Sequence, residues 1–150
     1  MNDFEKSLNF VLVETFNYIL KYEEASLKSF LNIPVTMTEA HIIEAIGTQE
    51  KKETTVSQLA SLLDISTPTA TVAVQKLESK NFIKKIPCEK DGRRTFIRLT
   101  DIGRKVEKAH HLFHEKMVRN ISHQYSNSEK EVLLRAVTTL SKFFKAKIEA

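Results

Sequence analysis

Three groups of side chains in this 150-residue chain have types and spacings suited to chemistry. The first is Thr67, Pro68, Thr69, Thr71, Val72, Gln75 and Lys76, which share one side of a stretch whose other side is apolar. Ala70, Ala73, Val74 and Leu77 make that other side, at i, i+3, i+4 and i+7. A glutamine amide pairs with adenine in a major groove, and threonine or valine methyls pack on the thymine methyl. No arginine stands on this face to read guanine, so an A·T-leaning target is expected. The second group is Lys90, Arg93 and Arg94 around Asp91-Gly92, a tight-turn dipeptide that lifts basic side chains outward. Arginine is drawn to the narrow minor groove of A·T-rich DNA, and lysine to phosphate. The third is His110 and His114, four apart and so on one helical face, a spacing at which two imidazoles hold one Zn²⁺. Each group has a plainer alternative: a solvated helix face, a charged turn, or histidines bonded to backbone or carboxylate. The first two follow one another along the chain, which a mere solvated surface does not explain.

The elements that must position these residues are legible around them. Residues 54–63 read as a short capped helix, Asp64-Ile65-Ser66 as a turn, and residues 67–80 as a second helix. Ser66 is its N-cap, and Pro68 sits in the first turn, where a missing N–H costs nothing. Two β-like runs follow at 82–87 and 95–100, joined by the charged loop from Cys88 to Arg94. Helix, turn, helix and basic hairpin in that order is a winged helix-turn-helix. Thr55 and Ser57, at the start of the first helix, join the DNA-facing set together with Ser66.

Charge agrees with this placement. Between Ser66 and Lys105 stand ten basic and four acidic side chains, so that segment carries +6 and the rest of the chain −2, within a total of +4. A localised positive excess is the electrostatic footprint expected for phosphate. A DNA-independent helical adaptor leaves it unexplained. An enzyme is not expected, because no glycine-rich phosphate loop, nucleophile elbow or paired-carboxylate arrangement appears. The lone Cys88 excludes an internal disulfide and reads as a small wing residue in a reducing compartment. No apolar run approaches the roughly 20 residues of a membrane span, and the N-terminus lacks an export pattern. A cytoplasmic protein without a membrane partner is expected.

Long helices flank the basic centre. Phe4, Leu8, Val11, Leu12, Thr15, Tyr18, Ile19 and Tyr22 form one stripe up to Asn32-Ile33-Pro34. Thr38 is a candidate cap for the next helix, which Gly47 stops. Asp101 opens a helix to about Tyr125, and a Ser128/Glu131 capping box starts the last one. With three glycines and three prolines the chain reads as mainly α. Residues 1–36 and 104–150 are expected to be dimerisation helices and 37–103 the DNA-binding region. The terminal apolar stripes exceed what one small winged domain covers, so a homodimer on a pseudo-palindromic double-stranded operator is expected.

Asp91-Gly92-Arg93, then five residues, Leu99-Thr100 and Gly103 resemble the wing signature of the MarR family of bacterial transcription regulators. Leu59-Ala60, Ser66, the Ala70 to Leu77 spacing and Leu77-Glu78 also match that family. Asn81 stands where the family usually has glycine, and asparagine tolerates the left-handed conformation needed there. The resemblance implies a homodimeric repressor with an effector pocket between dimer helices and winged region. The segments 39–47 and 110–118 resemble the FabT-like subgroup, repressors of fatty-acid synthesis genes. That implies long-chain acyl-acyl carrier protein as corepressor, with Phe16, Ile19, Leu20, Phe113 and Met117 as tunnel walls beside His41, His110 and His114. The alternative is zinc: Glu24, His41, His110 and His114 are similar to the ligand set of the family's zinc-sensing member. That member also uses a cysteine near the end of the first helix, where this chain has Ser29 and Phe30. No obligatory cofactor is expected.

Overall fold

The computed structural model describes residues 1–49, 54–88 and 94–148, with Phe30 described by its backbone alone. Its elements are α1 (Asp3–Leu31), α2 (Met37–Thr48), α3 (Val56–Leu62), α4 (Thr67–Ser79), β1 (Ile83–Pro87), β2 (Thr95–Leu99), α5 (Asp101–Ser122) and α6 (Asn127–Ile148). The chain divides into two compact units, Met1–Phe113 and His114–Ala150, with the division inside α5.

Polar caps set the helix starts. Asn2 with Glu5 opens α1, and Thr55 with Gln58 opens α3, each as a reciprocal capping box. For α2 the cap is Thr36, not Thr38, because Glu39 reaches back to the Thr36 N–H and completes the box there. For α6 the choice falls on Ser126 with Glu129 rather than Ser128 with Glu131. Two Ser-x-x-Glu patterns overlap at that point, and the earlier one closes. Gly47 does not stop α2. It lies inside the helix with an ordinary backbone, close under the Glu107 side chain.

The core of the first unit joins α1, α2, α3, α4, the hairpin and the start of α5. Leu27, Ile43, Ile46, Leu59, Val74, Leu77, Leu99 and Val106 are all at most 1% exposed. Full burial of a Leu or Ile side chain stabilises by about 1.5–3 kcal/mol, so this cluster dominates the unit. Of the four positions expected on the buried side of α4, Ala70, Val74 and Leu77 are fully covered and Ala73 partly.

The hairpin is antiparallel, pairing Ile83 with Leu99 through Pro87 with Thr95. Cys88 N–H donates to the Arg94 carbonyl one step further out. In β2 both Phe96 and Ile97 are buried, so simple alternation fails. The Ile97 N–H donates to the Thr54 carbonyl, so the residues before α3 cover the strand's other edge. Asn81 adopts φ 61, the left-handed conformation its type suggests. Phe82 N–H then bonds to the Leu77 carbonyl and Asn81 N–H to that of Glu78, the Schellman pattern that ends α4 and launches β1. Thr100 and Gly103 close the base of the wing. Thr100 Oγ1 donates to the Asn81 carbonyl, and a Cβ on Gly103 would stand 2.0 Å from the Phe82 carbonyl oxygen.

In the second unit α6 has no buried residue among those described. Leu134 is 70% exposed, and Val132, Val137, Phe143 and Phe144 are exposed as well.

Candidate functional site

The exposed side of α4 follows from its buried side. With Ala70, Val74 and Leu77 turned inward, Thr67, Pro68, Thr69, Val72, Gln75 and Lys76 are exposed and Thr71 is half-buried. Two of the hydroxyls are already engaged. Thr71 Oγ1 donates to the Thr67 carbonyl, and Thr69 Oγ1 lies 2.7 Å from Ser66 Oγ, which caps the helix by accepting from the Thr69 N–H. The helix therefore offers methyl groups at Thr71 and Val72, the latter 65% exposed, and one amide at Gln75. Such groups have the chemistry that matches thymine methyls and an adenine edge. Ser57 is exposed at the start of α3, and Thr55 is occupied as its cap. Arg94 is exposed at the end of the hairpin. Lys90, Arg93 and the Asp91-Gly92 turn lie outside the described residues.

Lys76 is not a free cation. Its Nζ stands 3.2 Å from Oε1 of Glu39, a carboxylate only 4% exposed at the start of α2. Lys80 Nζ reaches the same carboxylate, at 2.8 Å and 2.9 Å from its two oxygens. Burial raises the Glu39 pKa, but the bonds from Lys80, the Thr36 backbone and Lys76 outweigh it and hold the carboxyl below the ordinary value. Sequence spacing gives no sign of this pairing, which joins residues about forty positions apart.

A second polar cluster lies in the first unit. Glu23 on α1 is 2% exposed, and its Oε1 receives both the Nε2 of buried His110 and, at 3.2 Å, the Nε2 of His41. The other His110 nitrogen, Nδ1, stands 3.0 Å from Glu44 Oε2 on α2. The His41 and His110 rings meet edge-on at 5.1 Å. Burial raises the Glu23 pKa, while the His110 bond and the charges of His41 and His110 lower it further than burial lifts it.

The carboxylate is Glu23, not Glu24. Glu24 is exposed and bonded at 2.8 Å to Lys28. A signal for this existed: Glu23 precedes the buried Leu27 by one turn, so the inward stripe of α1 passes through it. One donor atom each of Glu23, His41 and His110 lies within 4.8 Å of the others. His114 follows His110 by one turn of α5. Tetrahedral zinc with bonds of about 2.0–2.1 Å sets its donors roughly 3.3 Å apart. The 3.2 Å His41–Glu23 separation fits that spacing and imidazole with carboxylate suits zinc, whereas His110 Nε2 is hydrogen-bonded to the same Glu23 oxygen at closer range.

The proposed tunnel walls are less coherent. Phe16, Ile19 and Leu20 are exposed on α1, and Phe113 is buried edge-on against Tyr22 at 5.1 Å. Met117 is half-buried in the second unit.

Comparison with known proteins fixes the family. Residues 35–95, from just before α2 into β2, match the model of the MarR family. The chain belongs to the MarR family. The MarR-type fold extends over nearly its whole length. The structure of Streptococcus pneumoniae FabT in complex with DNA matches with a TM-score of 0.83 and 29% identity, covering 95% of this chain and 98% of that one. The transcriptional regulator AdcR of Streptococcus pneumoniae is 28% identical over 111 residues, 72% of this chain and 74% of AdcR. The HTH-type transcriptional regulator YvnA of Bacillus subtilis is 32% identical over 109 residues, 73% of this chain and 66% of YvnA. Like other MarR proteins, this one is a DNA-binding transcriptional regulator. None of its helices, among the described residues, is long and apolar enough to cross a membrane.

Proposed function

We propose that this MarR protein is a dimeric repressor of fatty-acid synthesis genes, with long-chain acyl-acyl carrier protein as corepressor. The observation that carries the reading is the likeness to DNA-bound FabT along almost the entire chain. The resemblance of residues 39–47 and 110–118 to the FabT-like subgroup adds the gene class. α4 enters the major groove with Thr67, Pro68, Thr69, Thr71, Val72 and Gln75, and the wing brings Lys90, Arg93 and Arg94 to minor groove and phosphate. A dimer is supported by the exposed apolar side chains of α1, among them Phe4, Phe10, Phe16 and Leu20, and of α6, among them Leu134, Val137 and Phe143. Two copies of α4 about 34–36 Å apart reach successive major grooves of a pseudo-palindrome.

A second effector reading is favoured by one specific observation. Glu23, His41 and His110 converge in the first unit with donor chemistry that suits zinc, and the His41–Glu23 pair has the spacing. Glu44, on α2 with His41, stands 3.0 Å from His110 Nδ1 and would orient the set.

One titration separates the two. Operator binding is measured with acylated and unacylated carrier protein, each with and without a zinc chelator. The lipid reading expects tighter binding with acylated carrier alone, by the roughly 5–150-fold typical of allosteric coupling. If only zinc changes the affinity, the metal reading replaces it. Indifference to both refutes the two readings together.

A further inference from the structure

The Glu39 carboxylate has more positive charge beside it than it needs. Lys80 reaches both of its oxygens and satisfies a buried anion on its own, since one ammonium can donate to both. Lys76, 58% exposed by its side chain, is nevertheless drawn to 3.2 Å of the same group. Lys76 follows Gln75 on α4, and Val72 lies one turn before it, so its ammonium belongs to the face offered to DNA. A groove of about 450 Å³ between the start of α2 and α4, lined by Thr36, Glu39, Thr69, Val72 and Lys76, leaves the lysine room to swing outward if released.

Phosphate attraction is blind to sequence. Each lysine that neutralises a phosphate strengthens binding to every duplex alike, and discrimination falls when such contacts dominate. We propose that Glu39 is a specificity-determining residue for DNA binding. It holds the Lys76 ammonium on α2, keeps it from the phosphates, and so leaves a larger share of the affinity to Val72 and Gln75. The inference rests on the reading that α4 faces DNA.

The test is Glu39→Gln in the full chain. Glutamine keeps the capping box with Thr36 and removes the charge. A thermal melt checks that the variant is folded. Affinity for the operator and for a scrambled duplex is then measured across a salt series. Glu39→Gln should bind the scrambled duplex more tightly and narrow the ratio between operator and scrambled DNA. The slope of log affinity against log salt should steepen by about 0.9 per lysine released. An unchanged or shallower slope overturns the proposal. A second variant needs no change at Glu39: Lys76→Gln in the native chain should flatten the slope by less than half of that amount. A full unit would mean that Lys76 already contacts phosphate, and would overturn the proposal even if Glu39→Gln does not fold. Gln75→Ala separates the two levels of the argument. If it weakens operator binding while the charge variants fail as described, only the role of Glu39 falls. If Gln75→Ala has no effect either, the placement of α4 falls with it.

Discussion

In the proposed complex Gln75 and Val72 carry the burden of discrimination, because their neighbours are spoken for. Thr71 and Thr69 spend their hydroxyls within the helix, and Lys76 is tied to Glu39. Gln75→Ala should therefore cost about 1–3 kcal/mol on the operator, the value of one good bidentate base contact. Competition between operator and scrambled duplex checks it, and equal loss on both would make Gln75 a backbone contact. If Val72 reads a thymine methyl, replacing operator thymines by uracil one at a time should weaken the native protein at one position. Val72→Ala should show little further loss with the same uracil duplex; full additivity of the two changes would refute the contact. The exposed residues of α4 were legible in the sequence because helical period alone separates them from Ala70, Val74 and Leu77. Their internal hydrogen bonds were not, since those depend on rotamers. Glu24 comes from the likeness to the zinc-sensing member's ligand set, and the carboxylate beside the histidines is its neighbour Glu23.

Among the elements, the wing and its junctions were the most readable. The Asn81 conformation, the Asp101 helix start and both strands agree with expectation within a residue. The cap positions of α2 and α6 slipped by two residues, since each region offers competing hydroxyls and only the reciprocal bond from glutamate decides. Asn81 makes a direct test. A left-handed residue costs alanine roughly 1–2 kcal/mol and glycine nothing, so Asn81→Ala should destabilise by about 1 kcal/mol and Asn81→Gly should not. Denaturant midpoints at one fixed protein concentration read the difference. Two elements also carry an acid-sensitive link. Glu23 binds α1 to α2 and α5, Glu39 binds α2 to α4, and both pKa values lie below ordinary. Their contribution is complete above the ordinary carboxylate value of 4.5 and declines as pH falls from there through the lower folded values. Glu23→Gln should flatten the loss of stability on the acid side of that value, and a denaturation series taken downward from neutral pH measures it.

At the scale of the whole molecule, exposed apolar surface governs behaviour. Ten large apolar side chains are exposed among the described residues of α1, more than one soluble chain ordinarily leaves to water. α6 adds its own exposed set, with none of its described residues buried. Truncation after Val137 should convert a dimer into monomer or aggregate in light scattering. A well-folded full-length monomer at micromolar concentration would refute the dimer and with it recognition of two half-sites. This level was legible only as a surplus. Periodicity shows that a stripe exists, and a single chain does not say what covers it.

The two described helix glycines forecast different histories for their positions. At Gly47 an added methyl would meet the far end of the flexible Glu107 side chain, which can swing aside. At Gly103 it would meet the backbone carbonyl of Phe82, which is held by the Thr100 N–H. Across diverging lineages position 47 is free to wander, while position 103 is locked for as long as the wing is kept. A descendant that has lost the glycine at 103 will have lost or rebuilt its hairpin first.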